Sequence, residues 1–296
     1  MTSMCALNST KFLRKHWFMT CVLACSVGLV TWGIFVEPGL LTKRQVLRDG
    51  WPGTALKIAF FSDLHAGAPH VDREYVKNLI VRIGAESPDL ILNGGDLVIN
   101  GIVGGKAISI EELAVLLSQL NAPLGVFAVL GNHDWWRGGL EVSLALNKNG
   151  IKILENGAQL IDRHDGTKFW LVGIGDDYTG HADAQRAFSV TNGSWPKIAF
   201  MHDPAALFQI KDHFNIAFAG HLHGGQIFLP GIGAIVTPGR APRAWAKREW
   251  IDFEFGSLLV SSGIGTSILP IRVNAPPEFV IATLEPRLHA GQIPSY

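Results

Sequence analysis

The chain has 296 residues, 48% of them hydrophobic and 17% charged, with a formal net charge of zero and a mean hydropathy of +0.23. That length can bury a sizeable core, and the apolar balance points to a membrane segment. With no bulk positive field and no basic tail, nucleic acid is disfavoured as the main partner. The cysteines, Cys5, Cys21 and Cys25, all precede Val27, which excludes disulfides, thiolate metal ligands and a thiol nucleophile from everything that follows.

Residues 1–16 read as a basic flank carrying Lys11, Arg14 and Lys15. From Trp17 to Val36 no residue is charged, and the stretch is long enough to cross a hydrocarbon core as a helix. Trp17 and Trp32 sit towards its ends, where interfacial aromatics are common. A cleavable signal peptide would have a shorter apolar core and a small-residue cleavage site. Val22 to Cys25 faintly resembles a lipoprotein cleavage box, with too little apolar sequence before it. A buried core helix is the remaining alternative. The expectation is an uncleaved transmembrane helix over 17–36. Lys43, Arg44 and Arg48 follow it, so basic residues balance across the span and its orientation stays open.

Residues 37–55, rich in Pro and Gly, read as a linker, and 56–296 as one further domain. Strands are expected over Leu56–Ser62, Leu90–Asn93, Gly125–Leu130, Phe169–Ile174, Lys197–Phe200, Ile216–Ala219, Leu258–Ser261 and Val280–Leu284. They are near-continuous apolar runs, as in strands covered on both faces. Helices are expected between them, over Arg73–Ala85, Ile110–Leu120, Leu140–Lys148 and Asp183–Phe188. The alternation predicts a layered α/β domain.

Five of the strands run straight into clusters of Asp, Asn and His. These are Ser62-Asp63-Leu64-His65, Asn93-Gly94-Gly95-Asp96, Gly131-Asn132-His133-Asp134, Met201-His202-Asp203 and Gly220-His221-Leu222-His223. Carboxyl ends of strands line the ligand crevice in open α/β sheets. Imidazole, carboxylate and amide ligands without thiolate suit Mn, Fe, Zn or Mg. Seven such groups exceed the needs of one ion and suit two that share a carboxylate, an arrangement that clamps a phosphoryl displacement. Taken singly, Asp-x-His or Gly-Asp commonly marks a turn or a cap, and a lone His202 would read as a packed histidine.

In this order the motifs resemble those of calcineurin-like metallophosphoesterases, over everything from Leu56 to the C-terminus. Gly224-Gly225-Gln226, Gly263-Ile264-Gly265-Thr266-Ser267 and Leu269-Pro270-Ile271-Arg272 resemble the membrane-anchored bacterial phosphodiesterase branch. Leu222 stands where Thr is commoner. The resemblance implies a β-sandwich flanked by helices, two divalent metal ions, and hydrolysis of a phosphate ester or anhydride by a metal-bridged hydroxide. It implies that Asp63, His65 and His223 hold one metal, Asn132, His202 and His221 the other, and Asp96 bridges. His133 would stabilise phosphoryl charge or protonate the leaving group, oriented by Asp134. It also implies a bacterial inner-membrane location and a lipid-linked or small phosphate-containing substrate, with UDP-2,3-diacylglucosamine in lipid A synthesis as one candidate. A general envelope phosphodiesterase or phosphomonoesterase is the alternative; an idle metal-dependent scaffold is a third, and would tolerate Asn132→Ala.

The segment Leu229–Trp250 carries Arg240, Arg243 and Trp245 among further basic and aromatic residues. It reads either as a solvated loop or as a basic-aromatic lid that binds an anionic substrate or lipid headgroups. Asp176-Asp177 reads as a turn, with a contact to substrate as the alternative. His16, His70, His164, His181, His213 and His289 lack such context and read as surface residues.

Overall fold

The computed structural model describes residues 2–163 and 165–286, so His164 and His289 lie outside the described residues. The elements begin with α1 (Thr2–Phe35), β1 (Thr42–Trp51), β2 (Leu56–Phe61), α2 (Arg73–Ala85), β3 (Leu90–Asn93), α3 (Ile110–Leu117) and β4 (Val126–Ala128). There follow α4 (Asn132–Lys148), β5 (Lys152–Ile153), β6 (Gly157–Asp162), β7 (Lys168–Ile174), α5 (Ala184–Ser189), β8 (Lys197–Met201) and β9 (Ile216–Ala219). The last are the short hairpin β10 (Phe228–Leu229) and β11 (Gly233–Ala234), then β12 (Trp250–Phe253), β13 (Gly256–Val260) and β14 (Glu278–Pro286).

Alternate residues of the central strands face different cores. Ile58 and Phe60 of β2 point into one buried cluster, Ala59 and Phe61 into another. The first cluster lies between two six-stranded sheets, ordered β1-β14-β2-β3-β4-β5 and β12-β13-β9-β8-β7-β6. There Ile58, Phe60, Leu92 and Phe127 meet Leu171, Ile198, Phe200 and Phe218. Phe60 stacks on Phe218 with ring centroids 5.3 Å apart. Each fully buried side chain of this size contributes roughly 1.5–3 kcal/mol. On the outer face of the first sheet, Val76, Leu79, Leu113, Leu117 and Leu146 of α2, α3 and α4 cover Ala59, Phe61 and Ile91. Ala187 and Phe188 of α5 help cover the second sheet. Cover on both faces explains the near-continuous apolar runs, and the expected layered sandwich with flanking helices is the fold.

The inner strands β2, β3 and β4 are mutually parallel, as are β7, β8, β9 and β13. Several consecutive strand ends of each sheet therefore emerge at one edge.

The expected linker over 37–55 is instead part of the fold. Glu37–Gly39 forms a 3-10 turn, and β1 pairs in parallel with β14 from Thr42↔Glu278 to Arg48↔Leu284. The cause lies far away in sequence. Glu278, fully buried, accepts from Arg44 and Arg248 side chains and from the Ser262 amide. Burial works against its charge, but Arg44 and Arg248 hold its carboxyl below the ordinary range. α4 also starts earlier than expected, at Asn132, because Asp134 accepts the Gly131 amide across its first turn; the helix bends at Gly138 (φ 118°). α1 is the one helix among the described residues long and apolar enough to cross a membrane.

Glu278→Ala should leave two arginines facing a buried void and destabilise the chain by on the order of 3 kcal/mol in denaturant unfolding. Because the folded carboxyl is held below its ordinary value of 4.5, this contribution is complete above that pH. The gap between wild type and variant should narrow as pH falls below it.

Candidate metal centre

Strand ends from both sheets bring the seven expected donors together. β2 runs into Asp63 and His65, β3 into Asp96, β4 into Asn132, β8 into His202, and β9 into His221 and His223. All seven are buried. Asp63, His65, Asp96, His221 and His223 have φ between 44° and 67°, a region that non-glycine residues seldom occupy and that costs of order 1–3 kcal/mol each. Cross-strand backbone bonds hold these turns, including Asp63 N–H to Gly95 O and His65 N–H to Asp96 O, each 2.9 Å. Glycine is required beside them: a Cβ on Gly131 would overlap the Asp96 carboxylate, and one on Gly220 would overlap Ser62 and Asp63.

Among three overlapping donor triads of the described residues, Asp63–His65–His223 and Asp96–His202–His221 form two groups that share no residue, and His65–Asp96–His133 joins them; the ligand atoms of each triad lie within 4.8 Å of one another. Asp96 Oδ2 lies 3.3 Å from His202 Nε2 and 3.6 Å from His65 Nε2, between the two groups. Asn132 Oδ1 is 3.2 Å from His202 Nε2, and His223 Nε2 is 3.3 Å from both His65 Nε2 and Asp63 Oδ1.

Second contacts set the ring orientations. His202 Nδ1 donates to Gly94 O at 2.8 Å and His65 Nδ1 to Val98 O at 3.4 Å. A carbonyl only accepts, so each neutral ring turns an unprotonated Nε2 inward. Nitrogen lone pairs, two carboxylates and an amide oxygen thus converge, and a cation between them relieves the repulsion. The set fits divalent ions that accept N and O donors.

The electrostatics agree. Burial lowers His65 to about 3 and holds His221 and His223 well below their ordinary values, which keeps their lone pairs free. Burial pushes Asp63 up to about 6. Burial disfavours charge on His202 and Asp96 alike, but the two favour each other's charged form, which raises His202 above its ordinary value and holds Asp96 below its own.

A family model for calcineurin-like phosphoesterases matches residues 56–225, more than half of the chain. The chain belongs to the calcineurin-like phosphoesterase family. It is 32% identical to the uncharacterized metallophosphoesterase YkuE of Bacillus subtilis, over 93% of this chain and 98% of that one. It is 29% identical to the UDP-2,3-diacylglucosamine pyrophosphatase LpxG of Chlamydia trachomatis, over 72% of this chain and 78% of the relative. It is also 29% identical to the phosphodiesterase YaeI of Escherichia coli, over 84% and 90% of the two chains. This family member is a metal-dependent phosphoester hydrolase.

Beside the donors lies a cleft of about 150 Å³ lined by Asp96, Asn132, His133, His221 and His223 together with Asn100, Trp136, Tyr178, Pro238, Ser267 and Ile268. His133 does line it, but Asp134 does not orient its ring as expected. The two Asp134 oxygens accept from the backbone amides of Leu97, Val98 and Gly131. The His133 ring is set instead by the Asn100 amide, which donates to Nδ1 at 3.1 Å. Asp134 therefore shapes the loop that presents Asp96.

The segment Leu229–Trp250, read from sequence either as a solvated loop or as a basic-aromatic lid, has its key side chains engaged elsewhere. Arg240 pairs with Asp177 at 2.7 Å and lies over Phe208. Arg243 donates to Ile235 O, and Trp245 packs on Phe208 and Phe253. Pro238 is the segment's only cleft-lining residue among the described ones. Asp176 forms the expected turn, accepting from Thr179 N–H and Oγ1–H. His16, His181 and His213 are exposed, while His70 is half-buried and contacts Ile34 O.

Sequence reasoning passed over several residues that matter. Asp203 is buried with Oδ2 4.0 Å from His221 Nε2, and its position next to His202 was the available signal. Trp136 lies 5.0 Å from the His133 ring, and Tyr178 5.0 Å from that of His221. Arg272 is fully buried, donating to the carbonyls of Gly265, Ser262 and Ala275. It supports the loop behind His65, since a Cβ on Gly265 would meet His65 Cβ at 2.7 Å.

Because Asp96 touches both donor groups, Asp96→Asn should reduce binding of both manganese equivalents in isothermal titration of the purified chain. His223→Asn should weaken one and spare the other. Equal effects of the two substitutions would contradict the shared role of Asp96.

Proposed function

We propose that the chain is a membrane-anchored phosphohydrolase that cleaves a phosphodiester or pyrophosphate at a two-cation site. The observation that carries this reading is Asp96 Oδ2, within 3.6 Å of histidine nitrogens from both donor groups. Asp63, His65 and His223 would hold one cation and Asn132, His202 and His221 the other, with Asp96 shared. Bound there, divalent cations supply Lewis acidity to the phosphoryl oxygens and acidify water.

The chain's own groups do the rest. With Nδ1 accepting from Asn100, the neutral His133 ring carries its proton on Nε2. That N–H can donate to a phosphoryl or leaving-group oxygen, and burial, which lowers the pKa of His133, favours the neutral donor. Asp203 beside His221 Nε2 would orient that ring as an outer partner. Trp136 and Tyr178 flank the cleft beside the His133 and His221 rings.

The specific substrate we propose is UDP-2,3-diacylglucosamine, supported by the likeness to LpxG and by the apolar α1 as an anchor. This requires the catalytic domain to face the cytoplasm of a bacterial inner membrane. A second reading, a general envelope phosphodiesterase, is supported by equal identity to YaeI.

With Mn²⁺, detergent-purified protein should release UMP from UDP-2,3-diacylglucosamine, and chelator should abolish the release. His133→Ala should lower kcat by roughly 10²–10⁴ while leaving bound manganese unchanged. Hydrolysis of bis-p-nitrophenyl phosphate without UMP release would favour the second reading.

A further inference from the structure

The last turn of α1 is built into the catalytic domain. Gly33 O accepts from the Arg272 amide at 2.8 Å, and His70 Nε2 lies 2.7 Å from Ile34 O. A Cβ on Gly33 would meet Val273 Cγ2 at 2.7 Å and Ile271 Cγ1 at 3.2 Å, so only glycine permits this approach. Trp32 Nε1 donates to Glu37, whose other oxygen accepts the Ala275 amide at 2.7 Å. Arg272 thus bonds the helix through its backbone and the loop behind His65 through its side chain.

The depth of these contacts matters. The apolar span runs over Lys15–Gly39, and Gly33 lies inside it. If α1 crosses a bilayer, Ile271 and Val273 sit at the edge of the hydrocarbon. Just ahead of them, before Pro270, Ile268 and Leu269 are 70% and 55% exposed. Val103, 58% exposed, donates its amide to Ile268 O. The β10–β11 hairpin is attached to the same segment, through Phe228 N–H to Val273 O at 2.9 Å, and Val236 beyond it is 69% exposed. Large apolar residues exposed together in this way mark an interaction surface. Ile268 and Pro238, two residues from Val236, also line the cleft.

We infer that this apolar rim rests in the bilayer interface, and that the metal cleft opens onto the membrane surface to take the phosphate of a lipid whose acyl chains remain in the bilayer. The inference rests on the reading of α1 as an anchor. Cleft size supports it: about 150 Å³ is well below the roughly 300–1,000 Å³ that encloses a whole ligand. The cleft admits a phosphoryl group and leaves the remainder of the substrate on the rim. Amphipathic surfaces of this kind bury their apolar side to the headgroup–acyl boundary.

The test uses the full chain in phosphatidylcholine nanodiscs, with Cys5, Cys21 and Cys25 replaced by Ser. A nitrobenzoxadiazole label is placed in turn at Leu269→Cys, Val236→Cys, Val103→Cys, Val27→Cys on α1, and Asp165→Cys. The last bonds Thr54 before β2, at the end of the strand away from the metal site. A far-ultraviolet circular dichroism spectrum and thermal midpoint matching the parent certify that each labelled chain is folded. Lipid doxyl-labelled near the headgroup should quench the labels at 269, 236 and 103, and lipid doxyl-labelled near the acyl-chain end the label at 27 in mid-span, each at least about threefold more than the one at 165. Quenching at 27 with none at 269, 236 and 103 would overturn the inference and leave the anchor standing. No quenching at 27 would overturn the anchor and the inference with it.

Discussion

Asp96 is the side chain on which the rest of the site depends. Its Oδ2 faces His65 from one donor group and His202 from the other, while Oδ1 accepts the His133 amide at the start of α4. One carboxylate therefore connects both donor groups to the helix that carries Asn132 and His133. The connection holds only because Gly131 brings backbone against the carboxylate where any Cβ would overlap it. Shared electrostatics follow from this closeness, since Asp96 and His202 each favour the other's charged form despite full burial.

Convergence at one edge is in turn a product of two sheets packed face to face. Phe60 and Phe218 stack at the centre of the sandwich, and β2 and β9 then deliver Asp63 and His221 to the same point. His221 N–H donates to Asp63 Oδ1 at 3.0 Å, across the two sheets. Positive φ at five donor residues places strain where the chemistry is, and the hydrophobic sandwich is stable enough to hold it.

Much of this was legible from the order of residues. Apolar runs such as Lys57–Phe61, followed by Ser62-Asp63-Leu64-His65, identify both a doubly covered strand and the turn that ends it. The misses share a cause, namely partners remote in sequence. In β1 the charged Arg44 and Arg48 obscure a strand that exists because Glu278 and Asp252 receive them. Trp136 reaches the cleft from α4, and Tyr178 and Asn100 from two separate loops, and no local spacing relates the three. Asp134 was assigned to His133 on resemblance, whereas three backbone amides claim its oxygens. Arg240 and Trp245 look like substrate groups by composition but are taken by Asp177, Phe208 and Phe253.

Electron paramagnetic resonance of the manganese-loaded chain tests most directly whether two cations share Asp96, as we propose. Two ions joined through one carboxylate are exchange-coupled, so a multiline spectrum with the narrow hyperfine spacing of a coupled pair is expected at two equivalents of manganese. Asp96→Asn should lose that spectrum. A six-line signal of isolated Mn²⁺ that simply doubles from one equivalent to two would contradict the shared site.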